Sequence, residues 1–226
     1  MEASFFERHP MVKDAMSIAI FIICVIIGTL LINSYVFRSF GVQGPSMQDT
    51  LFTGDRLIVN RVPVTWAHIL GHNYSPKRGQ IIVFKNPLYQ PGDPDQYIVK
   101  RVIAFGGEQV QVKNGHITVF NKQNPSGFDP DVDNNSEPLS PTSGDVDKET
   151  VPDDSLFVSG DNRIGDNSLD SRSGLGYIPL YDVIGPVSLR IYPFNKIRSF
   201  SNEGAKDSST DTSATAAAAR ELRTQN

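Results

Sequence analysis

Between Lys13-Asp14 and Arg38 the chain runs 22 positions, residues 15–36, without a charged side chain, and Ile, Leu, Val and Phe dominate it. A helix of that length crosses a bilayer core of about 30 Å, where backbone polar groups must be satisfied internally. A cleaved secretory leader would have an apolar region of roughly 7 to 15 residues and a small-x-small site. Here the run is longer and passes into Asn33-Ser34-Tyr35-Val36-Phe37-Arg38, so an uncleaved single-pass anchor is expected. Tyr35 and Phe37 stand where aromatic side chains favour the membrane interface. Arg8 and Lys13 precede the span and only Arg38 closely follows it, a bias that puts a short N-terminal piece, residues 1–14, in the cytoplasm. No second stretch approaches spanning length. Residues 37–200 are therefore expected as one extracytoplasmic body, ahead of a disordered Ser/Thr/Ala-rich tail, 201–226.

The body reads as β-structure. Short runs rich in β-branched residues at 55–59, 80–84, 96–105, 109–112, 116–120, 156–158 and 183–191 are separated by Gly, Pro and Asn, the pattern of strands. Asn114-Gly115 between two alternating runs is a hairpin turn signal. With no long helical period outside the membrane, the expected fold class is mostly β: an N-terminal transmembrane helix followed by a folded antiparallel sheet or barrel-like domain. Residues 122–154 contain nine acids and two bases, a net charge of -7 against -4 for the chain, and few apolar residues, so a flexible acidic insertion is expected there. The remainder carries +3, which suits a body beside an anionic membrane surface. No concentrated basic face points to nucleic acid. Trp66, within 62–70, reads either as ordinary core or as an interfacial anchor.

The single cysteine, Cys24, lies inside the apolar run, which excludes intrachain disulfides and a cysteine nucleophile. His68 and His72 have i,i+4 spacing but Gly71 intervenes and no third ligand is near. Asp129-Pro130-Asp131-Val132-Asp133 has the start of a calcium loop, yet Ser140 stands where a bidentate Glu is needed. No Gly-rich phosphate loop precedes a helix. Neither metal nor cofactor is expected.

Three stretches could carry chemistry. Gly41-Val42-Gln43-Gly44-Pro45-Ser46-Met47-Gln48-Asp49-Thr50-Leu51 presents a serine just beyond the membrane, although Gly, Pro and Ser also make turns without further purpose. In Ile98-Val99-Lys100-Arg101-Val102-Ile103-Ala104-Phe105 the two-residue period puts Lys100 in an apolar row with Ile98, Val102 and Ala104. Burial there would disfavour the ammonium and favour a proton acceptor. A solvent-facing lysine on an edge strand remains the alternative. Ser159 to Arg172 is a dense Ser/Asp/Asn/Arg segment, either a surface loop or a network that holds a lysine in place.

Taken in order after an N-terminal span, Gly44-Pro45-Ser46-Met47, Gly54-Asp55, Arg78-Gly79-Gln80-Ile81-Ile82-Val83-Phe84, Ile98-Val99-Lys100-Arg101-Val102 and Gly160-Asp161-Asn162-Arg163 through Asp170-Ser171-Arg172 resemble type I signal peptidases. The resemblance implies a Ser/Lys protease in a bacterial cell membrane, acting on signal peptides of exported precursors on the extracytoplasmic face. Carried over, Ser46 would be the nucleophile and Lys100 the general base. Ser168 would orient the lysine amine, and Asp170, Arg172 and Arg101 would form a supporting ion-pair network. The oxyanion hole would use the Ser46 N–H, with Gly44 beside it. Val42, Met47, Leu51, Ile98 and Val99 would line small pockets for an Ala-x-Ala site, and the substrate would bind extended along a sheet edge.

The chain departs from the family pattern at three points. Gly44 stands where some relatives have an oxyanion-hole serine, Asp49 replaces a proline, and Ile164-Gly165 is a two-residue insertion that must bulge outward if Ser168 is to keep its role. A self-cleaving repressor-type peptidase shares such a dyad but not the membrane span. A membrane-anchored β-domain acting as an adhesion or binding module would need neither Ser46 nor a lysine on an apolar strand face. Nothing in the sequence sets the oligomeric state, and a monomer is expected.

Overall fold

The apolar run forms a helix whose side chains face outward all round. In the computed structural model, which describes residues 10–93, 96–131 and 141–200, helix α1 (Pro10–Leu31) continues through a π-helical turn (Ile32–Val36). The resulting helix, Met11–Val36, has 26 residues, a mean hydropathy of 2.9 and no part buried against the body, and is long and apolar enough to cross a membrane. A helix that is apolar on every face has no use for a single packing stripe and suits lipid. It begins four residues before the expected 15–36 segment and takes in Lys13 and Asp14. Expected positions 1–9 and 201–226 lie outside the described residues.

From the end of the span the chain enters β1 (Phe37–Gly41) directly and returns as β2 (Arg56–Asn60). Helix α2 (Val62–Ile69) then leads to β3 (Ile81–Lys85) and β4 (Tyr97–Phe105). A hairpin of β5 (Gln109–Lys113) and β6 (His116–Phe120), closed by Asn114-Gly115, is followed by β7 (Val146–Thr150) and β8 (Ser155–Ser159). Short β9 (Ile178–Pro179), long β10 (Val183–Tyr192) and β11 (Arg198–Ser199) complete the body. The main sheet is antiparallel, in the order β1-β2-β10-β3-β4-β8-β9, with β11 on β10. β10 joins its two halves, pairing with β3 through Val183 and Pro186 and with β2 from Val187 to Tyr192. The second sheet is β6-β5-β7.

Alternation along these strands divides the interior into three packed groups. Leu57, Val59, Ile81, Val83 and Val187 pack with Met47, Leu51 and Phe200. Ile82, Phe84, Val102, Val158 and Val183 pack with Leu156 and Ile178, and Ile103, Ala104, Val110, Val119 and Phe157 form the group that the second sheet covers. β4 contributes to all three. A register shift against β8 between Val102 and Ala104 ends the expected single row, so Ala104 packs in a different group from Ile98 and Val102.

The structure corrects one expectation and decides against one of two open readings. Within the acidic stretch 122–154, the described residues are folded: Phe128 bridges Val119, β7 pairs with β5 and Val151 is buried. Trp66 is not core, because α2 buries Val64 and Ala67 and leaves Trp66 61% exposed.

Candidate active site

The serine-bearing loop is held at both ends. The Val42 N–H donates to Asp55 O (2.9 Å) and the Gly54 N–H to Val42 O (3.0 Å), extending the β1–β2 ladder into the loop. Gln48 N–H to Pro45 O (3.0 Å) and Leu51 N–H to Met47 O (2.7 Å) close its turn. Met47 and Leu51 carry the loop's apolar contacts with the body. They point under the loop into the core, at 1% and 0% exposure, and so fasten it from below. Arg190 on β10 braces the far side, with Nη1 donating to Thr50 O and to Asp55 Oδ2, each at 3.0 Å. Asp55 Oδ2 also accepts from the Phe52 N–H at 3.0 Å.

Above this anchor Ser46 is half-buried, with Oγ 2.7 Å from Lys100 Nζ. Lys100 is only 3% exposed, in the stretch where β4 pairs with β3, opposite Ile82. Strand alternation thus turns Lys100 to the face that meets the loop, although 54 residues separate the two in sequence.

The segment after β8 supports the pair from a third side. Asn162 donates its N–H to Ser46 O (3.1 Å) and Nδ2 to Pro45 O (3.2 Å). A Cβ on Gly160 would overlap both the Ser46 carbonyl and the Ser168 hydroxyl, so only glycine lets these two groups meet across it. Ile164 to Asn167 project outward, and the chain returns at Ser168, which is buried. Ser168 Oγ donates to Asp170 Oδ2 at 2.7 Å, which leaves its oxygen able to accept a further bond. The same carboxylate receives the Gly160 N–H (2.8 Å) and Arg172 Nη2 (2.7 Å), while Oδ1 receives Arg172 N–H and Nε, both at 3.0 Å. Burial alone would raise the Asp170 pKa, but the Arg172 guanidinium, the Gly160 N–H and the Ser168 hydroxyl outweigh it and hold the pKa below the ordinary value.

Arg101 makes a buried ion pair with Asp161. Its Nε and Nη2 make a forked pair with Asp161, at 2.7 and 2.6 Å, and Nη1 donates to Gly79 O (2.7 Å). The reason is register: Arg101 sits opposite Ser159 at the end of the β4–β8 ladder, which brings position 161 alongside it. Burial opposes ionisation of Asp161, yet the charge and hydrogen bonds of Arg101, with the Thr50 hydroxyl, lower its pKa.

Sequence reasoning passed over a third buried pair. Arg163, fully buried, donates Nη1 and Nη2 to Asp131 at 2.6 and 2.8 Å and Nε to Gly160 O at 2.7 Å. Asp131 comes from the acidic stretch, and only its fork geometry in three dimensions reveals the match to Arg163.

An open cleft of about 450 Å³ runs past Ser46 and Lys100. Val42, Ile98 and Val99 line it, together with Phe40, Leu57, Val83 and Tyr97. Its two flanks are strand edges. Among the described residues β1 pairs only with β2, and β8 joins β4 from Arg101 onward, so Tyr97 to Val99 carry a ladder on one side. Gly44 lies at the cleft with φ +82°, a conformation glycine adopts without strain, and has no side chain to offer a donor. Among the described residues the Ser46 N–H donates to no protein acceptor. The chemistry available is that of a hydroxyl, a buried amine and an unoccupied amide donor beside a groove for an extended chain.

Comparison with known proteins gives a consistent result. The family model described as "Signal peptidase, peptidase S26" matches residues 13–192. Signal peptidase I of Bacillus amyloliquefaciens is 34% identical over 181 residues, covering 78% of this chain and 88% of the relative. Signal peptidase I T of Bacillus subtilis (strain 168) is 32% identical over 178 residues, covering 78% and 85%. The crystal structure of a signal peptidase I from Enterococcus faecalis V583 is 26% identical, covers 50% of this chain and 97% of that one, and has a TM-score of 0.38.

Proposed function

The chain belongs to the signal peptidase family, peptidase S26, and we propose that it removes signal peptides from exported precursors with Ser46 as nucleophile and Lys100 as general base. The observation that supports these roles is the 2.7 Å separation of Ser46 Oγ and a Lys100 amine that is 3% exposed. Burial disfavours the ammonium, and a neutral amine at hydrogen-bond distance is what the serine needs.

In the first step Ser46 Oγ bonds to the scissile carbonyl carbon as its proton passes to Lys100 Nζ. The developing oxyanion is met by the Ser46 N–H, with water standing in for the donor that Gly44 lacks. Collapse breaks the C–N bond, and Lys100 gives its proton to the departing amine of the mature protein. Water then attacks the acyl-enzyme as Lys100 takes its proton, and when the ester C–O bond breaks Lys100 returns that proton to Ser46 Oγ, which frees the serine and the neutral amine and releases the signal peptide as a carboxylic acid that ionises in water. Ser168 accepts a hydrogen bond from the lysine amine and orients it, while Asp170 and Arg172 fix Ser168 and Gly160. Arg101–Asp161 holds β4 against the loop.

The substrate enters extended between β1 and β4, and small side chains fill pockets beside Val42, Ile98 and Val99. α1 anchors the protein in a bacterial cell membrane, N-terminus in the cytoplasm and residues 37–200 outside, as a monomer.

The test is a precursor peptide ending its leader in Ala-x-Ala, incubated with the detergent-solubilised chain and mapped by mass spectrometry. Cleavage after the final Ala, lost when Phe replaces it, is expected. Cleavage elsewhere, or indifference to Phe, would refute the pocket assignment.

A further inference from the structure

We propose that the chain is its own substrate: the Ser46–Lys100 cleft cuts the segment 201–226 of the same molecule after Ala216, Ala218 and Ala219.

The pattern Ala-x-Ala occurs in one place in the sequence, within Ala214-Thr215-Ala216-Ala217-Ala218-Ala219. Overlapping copies lie there: Ala214-Thr215-Ala216, Ala216-Ala217-Ala218 and Ala217-Ala218-Ala219. Each puts a methyl group at the residue before the cut and at the residue two earlier, the pair that an extended strand turns to one side, toward small pockets. Residues 201–226 contain no proline, so each position has an N–H to pair with a flank of the cleft. They also contain no apolar run of spanning length, so segment and cleft stand on one side of any membrane that α1 crosses.

The start of the segment is held beside the cleft. Phe200, the last described residue, is 1% exposed, and its N–H donates to Ser188 O at 2.9 Å. It packs in one group with Val42, Leu57 and Val83, which also line the cleft, and with Met47, next to the serine. From Phe200 to Ala216 is 16 residues, about 53 Å fully extended at about 3.3 Å each. A body of residues 37–200 has a radius of gyration of about 15 Å, so this reach exceeds its width. A tethered segment is present at an effective concentration on the order of millimolar, far above that of any second copy in dilute solution. The step has the chemistry of precursor cleavage. Ser46 Oγ adds to the carbonyl carbon, the C–N bond breaks as Lys100 protonates the leaving nitrogen, and water hydrolyses the ester, leaving a carboxylate on the shortened chain and an amine on the released peptide.

The inference rests on the Ser46–Lys100 reading, so an Ala-x-Ala precursor peptide is included in each reaction as a control. Residues 1–226 as wild type, as Ser46→Ala and as Ala216→Phe/Ala218→Phe/Ala219→Phe are followed in detergent by intact-mass spectrometry. Wild type is expected to lose peptides that begin at Ala217, Ala219 and Arg220, on isolation or during incubation. Ser46→Ala should keep its full mass, and the triple variant should keep its own while cleaving the precursor peptide at the wild-type rate. When tagged Ser46→Ala is mixed with wild type at about 1 µM, its segment should be cut at least ~100-fold more slowly than the wild type's own. A wild type that cleaves the precursor peptide but keeps its segment would overturn the proposal and leave the Ser46–Lys100 reading standing. Failure to cleave either would sink both. Equally fast cutting of the mixed-in Ser46→Ala chain would assign the segment to a second copy, and truncation of Ser46→Ala by itself would assign it to another protease; each result overturns the proposal.

Discussion

Removing Asp131 tests whether the acidic segment is part of the active-site support. In the native body the Arg163 guanidinium is fully buried and rests on four hydrogen bonds: two to Asp131, one to Gly160 O and a longer one to Thr142 Oγ1 (3.4 Å). Asp131→Ala removes the two charge-assisted bonds and strands the cation. Breaking a buried pair from one side costs about 3–5 kcal/mol. The Asp131 side chain is 14% exposed, so water reaches the vacated positions and the lower end, about 3 kcal/mol, applies. For a body of this size that is a fall in Tm of roughly 6–12 °C, at about 2–4 °C per kcal/mol. Scanning calorimetry of the detergent-solubilised chain reads it. Adding Arg163→Met should recover part of the loss, because no charge is then left unpaired. A fall under about 2 °C, the value of a solvated ion pair, or strict additivity of the two substitutions, would refute the reasoning.

Gly160→Ala should cut kcat/KM by about 100-fold or more, because its Cβ displaces the Ser46 carbonyl or the Ser168 hydroxyl; an unchanged rate would show that the loop yields freely. Asp161 and Asp170 have lowered folded pKa values, so the stability they contribute is full above about 3.9, the unfolded value, and is lost as pH falls toward the folded one. Asp161→Asn should therefore flatten the decline in Tm below about pH 4, and a decline as steep as the wild type's would contradict this. Cleavage should fail on the acid side as Lys100 takes up a proton, with a midpoint well below the ordinary lysine value of about 10.4; a midpoint at that value would rule out a burial-tuned base.

How much the sequence revealed depends on whether a feature is local. Residues 15–36 announce a long apolar helix because uninterrupted apolar length alone decides it, and His116–Phe120 is found to the residue because a turn and an alternating pattern bound it. β1 escaped notice since Phe37 and Arg38 also make good interfacial flanks to the span. β7, Val146-Asp147-Lys148-Glu149-Thr150, has no apolar alternation because it is an edge strand with both faces largely polar. The pairing of Arg101 with Asp161 is set by strand register, and no spacing within the loop records it. For Met47 and Leu51, apolar residues beside the serine suit pocket wall and core alike, and only the direction in which the loop folds reveals that both pack with Leu57, Val59 and Ile81.

The account turns on Ser46 and Lys100 acting together, and the most direct measurement is single-turnover cleavage of an Ala-x-Ala precursor by wild type, Ser46→Ala and Lys100→Met. Lys100→Met keeps the length and apolar stem while removing the amine. The expected result is loss of cleavage in both variants, with Tm preserved and precursor still bound. Wild-type cleavage by either folded variant would contradict the dyad.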